Sequence, residues 1–179
     1  MSLLHYFRTP LLSPSRTRYL LARAGEILQR PLDGLRTEAC FNVGLSGALD
    51  PAREEILRWL LSETFQPDGF ARESFLREGG TILEVGPRLN FTTAWSTNAV
   101  AIFHACGLTQ VARIERSRRF LLEREPSLTP EEARAFLALV HDRMTETPYP
   151  APLETFDTGM TPEAVFEIPV MEEGRAALE

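Results

Sequence analysis

The side chains best able to do covalent or acid–base chemistry in this chain are Cys40, Cys106, His104 and His141. A cysteine nucleophile needs exposure and a histidine partner, typically at a helix N-terminus. Cys40 falls within a strand-like run and Cys106 at the buried end of a helical stripe, so both read as buried free thiols. Their spacing suits neither zinc nor a disulfide framework. His104 and His141 lie on separate helical segments, where a hydrogen-bonded surface or core role is the simpler account. Asp142 and Glu146 stand four residues apart with Arg143 beside them, which reads as a solvated or interfacial charge network on a helix. Gly79-Gly80 precedes a strand rather than a helix and so does not form a phosphate-binding loop. All 19 basic residues are arginine, which removes Schiff-base, phosphate-loop and general-base lysines from consideration. No catalytic, cofactor-binding or metal-ligating residue is therefore expected, and this chain alone is expected to be catalytically inactive.

Two segments resist explanation as ordinary packing. Gly86 to Asn98 (GPRLNFTTAWSTN) is a polar loop rich in hydroxyls ahead of an apolar helix, a setting able to hold an anion or a partner's carboxylate, or simply to cap its own helix. Val111 to Leu122 (VARIERSRRFLL) alternates so that Arg113, Glu115 and Arg119 share one face of a strand while Arg116 and Arg118 share the other. A buried unpaired guanidinium is costly, so these faces need a hydrogen-bonding cover. Solvent, an intramolecular acid such as Asp142, or another domain would each serve, and a protein interface is the expectation.

The elements that position these segments are legible from caps and periodicity. Leu3 to Arg8 reads as a strand, and Ser13-Pro14 opens a helix whose stripe is Leu20, Leu21, Ala24, Ile27 and Leu28. Arg36 to Val43 is a second strand. Asp50-Pro51 opens a helix with Ile56, Leu57, Leu60 and Leu61 on one side. The order then repeats: strand Thr81 to Val85, helix with Ala99, Ile102, Phe103 and Cys106 stopped by Gly107, strand 111 to 122, and a helix opened by the capping box Thr129-Pro130-Glu131-Glu132. That last helix is expected to bury Ala133, Phe136, Leu137, Val140 and Met144. Strand-helix-strand-helix twice over predicts an α+β fold, a duplicated ferredoxin-like arrangement with helices packed on a mainly antiparallel sheet. Ile27, Leu60, Phe103, Phe136 and Val140 are expected in its core.

A net charge of -6 and a pI near 5.2 argue against wholesale nucleic-acid or acidic-membrane binding. No membrane span or signal peptide is apparent, so a cytoplasmic location is expected. Residues 1–146 are expected to form the duplicated domain. Residues 147–179 begin with a proline-rich linker and end in MEEGRAALE (171 to 179), which reads as the start of a further helix in a longer polypeptide, or else as a frayed tail.

ARESFLREG (71 to 79), LEVGPRLNFTTAWSTNAV (83 to 100), ACGL (105 to 108), RIERSRRFLL (113 to 122), HDRMTE (141 to 146) and EEGRAALE (172 to 179) together resemble the N-terminal region of the large single-chain phosphoribosylformylglycinamidine synthases. The ordered set, more than any one piece, carries the resemblance. It implies a non-catalytic domain of a glutamine-dependent, ATP-dependent C–N ligase of purine biosynthesis. In that family this domain packs against the synthetase and glutaminase domains of the same polypeptide and helps couple them, so that ammonia reaches the synthetase site. ATP and Mg²⁺ belong to the parent enzyme, not to this region. The interface role is placed on Arg88, Asn90, Ser96, Thr97, Arg113, Glu115, Arg116, Arg119, His141, Asp142, Arg143 and Glu146. The alternative is a free-standing ferredoxin-like regulatory module that binds a small anionic ligand through the loop 86 to 98.

Overall fold

The computed structural model describes residues 2–62, 67–77, 80–159, 161 and 163–178. Among these residues six strands, β1 (Ser2–Arg8), β2 (Gly34–Leu45), β3 (Phe70–Ala71), β4 (Gly80–Pro87), β5 (Val111–Glu123) and β6 (Glu146–Tyr149), form one sheet in the order β3-β1-β2-β5-β4-β6. Every neighbouring pair is antiparallel. Helices α1 (Pro14–Ile27), α2 (Pro51–Leu61), α3 (Ala94–Ala105) and α4 (Pro130–Val140) complete it, with a short α5 (Val170–Glu173) beyond. The repeated order β1-α1-β2-α2 and β4-α3-β5-α4 closes on itself because the two long strands β2 and β5 pair along their length at the centre, from Gly34 opposite Glu123 to Leu45 opposite Val111. The expected duplicated α+β arrangement is the one observed.

Local signals set the helix limits. Ser13 and Asp50 accept from the backbone N–H groups of Arg16 and Arg53, and Thr129 with Glu132 forms the expected reciprocal capping box. In each case proline follows at a position whose missing N–H would have had no helical partner. α3 ends in a Schellman motif: Leu108 N–H donates to the Phe103 carbonyl at 2.8 Å and Gly107 N–H to that of His104 at 3.0 Å. Gly107 has φ +82°, a left-handed turn that glycine takes without side-chain penalty.

All four long helices cover one face of the sheet, in two pairs. Leu57, Leu61 and Phe103 of α2 and α3 pack with Ala39, Phe41, Val43, Leu45, Val111 and Ile114. Leu20 and Ala24 of α1 and Phe136 of α4 pack with Leu35, Phe120 and Leu122. The Phe120 and Phe136 rings meet edge to face with centroids 5.6 Å apart.

Several expected core positions lie elsewhere. Ile27, Ile56 and Ile102 are exposed, because each helix buries a narrower stripe than its apolar content suggests. Leu60 and Val140 are half-buried. Met144 is 84% exposed, since α4 ends at Val140 and the chain leaves it in extended geometry at His141. Cys106 is exposed rather than buried: the Schellman turn carries Leu108 back into the core in its place. Asp142 and Glu146 lie on a turn and at the start of β6, not on a helix. The domain boundary expected at residue 146 falls where a sixth strand begins; Pro148 is accommodated there because β6 lies at the edge of the sheet, with no strand on its outer side among the described residues.

Truncating Phe103 or Phe136 to Ala is expected to cost about 3–5 kcal/mol, whereas Ile102→Ala should cost less than about 1 kcal/mol. Denaturant midpoints of the three variants check this, and an Ile102 loss as large as that of Phe103 would count against the packing described.

Candidate docking surface

The face opposite the helices is lined by charged and polar residues, and it is nonetheless buried. Strand alternation puts Glu38, Cys40 and Asn42 of β2, Glu115, Ser117 and Arg119 of β5 and Glu84 of β4 on it, and all but Arg119 are at most 9% exposed. Arg119 organises this layer. Its guanidinium pairs with Glu38, donates to Ser74 Oγ at 2.9 Å, lies 3.2 Å from Glu84 Oε2 and stacks over the Phe7 ring. Glu38 also accepts from Ser74 Oγ at 2.7 Å and Phe75 N–H at 2.8 Å, which straps the segment 72–77 across the face. Ser117 Oγ donates to Glu84 at 2.5 Å, Asn42 donates to Ser117, and His5 Nδ1 lies 2.9 Å from Asn42 Oδ1. Burial raises the Glu84 pKa against the opposing hydrogen bond from Ser117 and charge of Arg119. Burial, and then the charge of Glu84, hold the Cys40 thiol protonated, so it is no nucleophile.

A second cluster ties three separate segments together. Glu115 accepts from the Thr93 N–H at 3.1 Å and the Thr93 hydroxyl at 2.7 Å, and it pairs with Arg113 at 3.1 Å. Arg113 donates onward to the Leu89 carbonyl at 3.1 Å and to that of Phe91, and its guanidinium covers the Phe156 ring at 4.7 Å. Phe156 is 5% exposed, so the chain after β6 is pinned beneath the same arginine that shapes the loop 88–93. Thr93 in turn caps α3. Glu115 thus supplies a carboxylate to the N-cap residue of α3 from within the chain. Ser96 Oγ accepts from Ile114 N–H at 3.3 Å, supplying a partner where β4 no longer runs beside β5. Gly86 permits Tyr149 to lie flat across β4, since a Cβ there would fall 2.5 Å from the ring, and the Tyr149 hydroxyl donates to the Pro87 carbonyl at 2.6 Å.

The twelve residues assigned to an interface therefore divide. Ser96 and Glu115 are fully buried, and Arg113 and Arg119 retain only 15% and 12% side-chain exposure, each paired with carboxylates of this chain. The cover that these arginines require is supplied by the chain's own carboxylates and carbonyls. Arg88, Asn90, Thr97, Arg116, Asp142 and Arg143 are exposed, and His141 and Glu146 are half-buried. Arg88 joins two of the outward segments: its N–H donates to the Thr145 carbonyl at 3.0 Å and its guanidinium to that of Arg143 at 2.8 Å. The loop 88–93, which leads into the first turn of α3, and the turn 141–145 thus stand side by side. Within that turn Asp142 accepts from Met144 N–H, which with Thr145 lowers its pKa. The acid that serves Arg118 is Glu146 at 2.6 Å, not Asp142. His104 and His141 do not meet; each bonds a backbone carbonyl near its own helix. Glu38, Glu84, Ser74 and Phe156 were not anticipated, although two glutamates within otherwise strand-like runs are a signal of a polar face. Among the described residues no three histidine, cysteine or acidic side chains are grouped to hold a metal, and no helix is long and apolar enough to cross a membrane.

Residues 38–155 match the family model described as formylglycinamide ribonucleotide amidotransferase N-terminal. A probable chloroplastic/mitochondrial phosphoribosylformylglycinamidine synthase of Arabidopsis thaliana is 46% identical over 98% of this chain. The phosphoribosylformylglycinamidine synthases of Dictyostelium discoideum and Homo sapiens are 43% and 42% identical over 100% and 83% of it. The chain spans only 13%, 14% and 11% of the length of these three curated relatives.

Replacing Arg119 with Met is expected to cost about 3–5 kcal/mol, because two buried carboxylates lose their counter-charge; thermal and denaturant unfolding would check it, and a stable variant would show that the layer tolerates uncompensated charge. Glu84 supplies a pH test with a defined sign. A carboxyl whose folded pKa is raised above its ordinary value of 4.5 contributes stability that is present below that value and lost as pH rises through the folded pKa. Stability profiles of the wild type and Glu84→Gln should therefore converge at acid pH and separate as pH rises, with the wild type falling relative to the variant.

Proposed function

Because this chain belongs to the phosphoribosylformylglycinamidine synthase family, we propose that it is the non-catalytic N-terminal domain of such an enzyme, docking against the synthetase and glutaminase domains and coupling them. The parent reaction on this reading is the ATP- and Mg²⁺-dependent conversion of formylglycinamide ribonucleotide to the amidine with nitrogen drawn from glutamine. This domain holds the two catalytic units in register so that ammonia passes between them. It supplies no reacting group.

The observation that carries the reading is the paired ridge of the segment 88–97, a loop running into the first turn of α3, and the turn 141–145. Arg88 locks the two together through backbone acceptors, leaving Asn90, Thr97, Asp142 and Arg143 outward on a rigid support. Rigid polar residues at the rim of a surface set orientation and partner choice more than raw affinity, which is what domain registration demands. Beyond the sheet, Val165, Phe166 and Met171 are 98%, 75% and 94% exposed. Apolar side chains so exposed in succession suit a segment that another surface covers. The buried layer beneath serves the same end by keeping the ridge, the cap of α3 and the departing chain at Phe156 in a fixed relation.

In the full-length enzyme, Arg88→Glu combined with Arg143→Glu should lower glutamine-dependent synthesis at least several-fold more than synthesis driven by added ammonium. Glutaminase and synthetase sites remain intact, and only their connection is weakened. Side-by-side assays of the two activities decide the matter. Equal loss of both would place these residues in direct support of the synthetase site, and loss of neither would remove the ridge from any docking role.

A further inference from the structure

We propose that Arg116, seated on Trp95, is the docking point for a carboxylate-bearing segment of a protein partner. This rests on the reading of the domain as a docking unit and names the chemistry of one contact. Along the helix-covered face of β5, Ile114 belongs to the apolar cluster under α2 and α3 and Phe120 to that under α1 and α4. Arg116 and Arg118 lie between them. Arg118 stands opposite Ala39 of β2, whose other neighbour is Arg8 of β1, so three arginines gather on this strip of sheet. Arg118 is neutralised by Glu146 at 2.6 Å and donates to the Val140 carbonyl at 2.9 Å. Arg116 is different: among the described residues its guanidinium has no hydrogen-bond or ion-pair partner, and its contact is the Trp95 ring, 5.6 Å from the centroid.

Burial and neighbouring charge both disfavour the charged form of Arg116, while the Trp95 ring face favours it. Partial burial lowers its pKa, and the neighbouring charges of Arg8 and Arg118 lower it further. An incoming carboxylate would offset these penalties by supplying the opposite charge. With the guanidinium over the indole and no hydrogen-bond partner among the described residues, its N–H donors are available for the two-pronged geometry that carboxylates accept. Trp95 and Phe91 are 38% and 37% exposed at the same end of α3. Tryptophan and arginine together are the residues most enriched where protein partners concentrate binding energy, which favours a protein carboxylate over a free anion. A net charge of -6 repels acidic chains in general, so attraction at this spot would be local and specific.

The test titrates the chain with a hexaglutamate peptide and, separately, with inorganic phosphate, following the Arg116 Nε–H and Trp95 indole N–H resonances at low salt. The peptide should shift both resonances. Arg116→Gln should weaken peptide binding by roughly tenfold or more, and Arg116→Lys should recover part of it, with the dispersion of the spectrum reporting that each variant is folded. Absence of any shift, binding undiminished in both variants, or phosphate binding as tight as the peptide would overturn the proposal. None of these outcomes depends on the ratio of glutamine- to ammonium-driven synthesis, so the docking reading and this contact fail separately.

Discussion

One side of this sheet is built around a buried guanidinium. Arg119 holds Glu38, and with it Ser74, while lying against Glu84 and over Phe7. Removing charge from water is expensive, and mutual attraction in the interior compensates only when the remaining hydrogen-bonding capacity is also met. Here the carboxylates find that capacity in Ser117, in Ser74 and in the Phe75 backbone. The consequence is structural: the segment 72–77 is held across a face that an apolar core would have left free to slide.

The second cluster repeats the logic at the other end of β5. Glu115 and Arg113 satisfy one another and then use their surplus donors and acceptors to grip Thr93, Leu89, Phe91 and the ring of Phe156. A loop, a helix cap and the departing chain become one mechanical unit through two side chains of one strand. Helices provide bulk stability on the opposite face, where Phe103 and Phe136 pack onto the sheet and Phe136 meets Phe120, and the polar face provides definition. Polar networks that are fully satisfied rigidify what they join, and a docking element gains from being rigid before its partner arrives.

Arg116 lies outside both clusters, and the contrast is physical. Arg113, Arg118 and Arg119 each reach a carboxylate within this chain, whereas the partner of Arg116 is an indole. A strand with arginines on both faces thus uses one face to organise its own interior and leaves on the other an arginine, Arg116, with no carboxylate partner among the described residues.

What the sequence determined by itself is whatever depends on neighbours within a few residues. Ser13, Asp50 and Thr129 with the prolines that follow them mark helix starts, Gly107 marks an end, and alternation along 111–122 sorts its arginines correctly onto two faces, because caps and pleats are local geometry. The repeated element order was legible for the same reason, and the ordered motifs made the family legible. Only the tertiary structure decided which face of β5 would be sealed. Arg119 and Glu38 are 81 residues apart, Arg30 and Glu132 are 102 apart, and no spacing along the chain announces that such charges will meet. Burial of Ser96, Glu115, Arg113 and Arg119 within the molecule, and exposure of Cys106 and Ile102, follow from which segments the fold lays over them. That is a property of strand order and register, set by the sum of many contacts, and not by the identity of any one side chain.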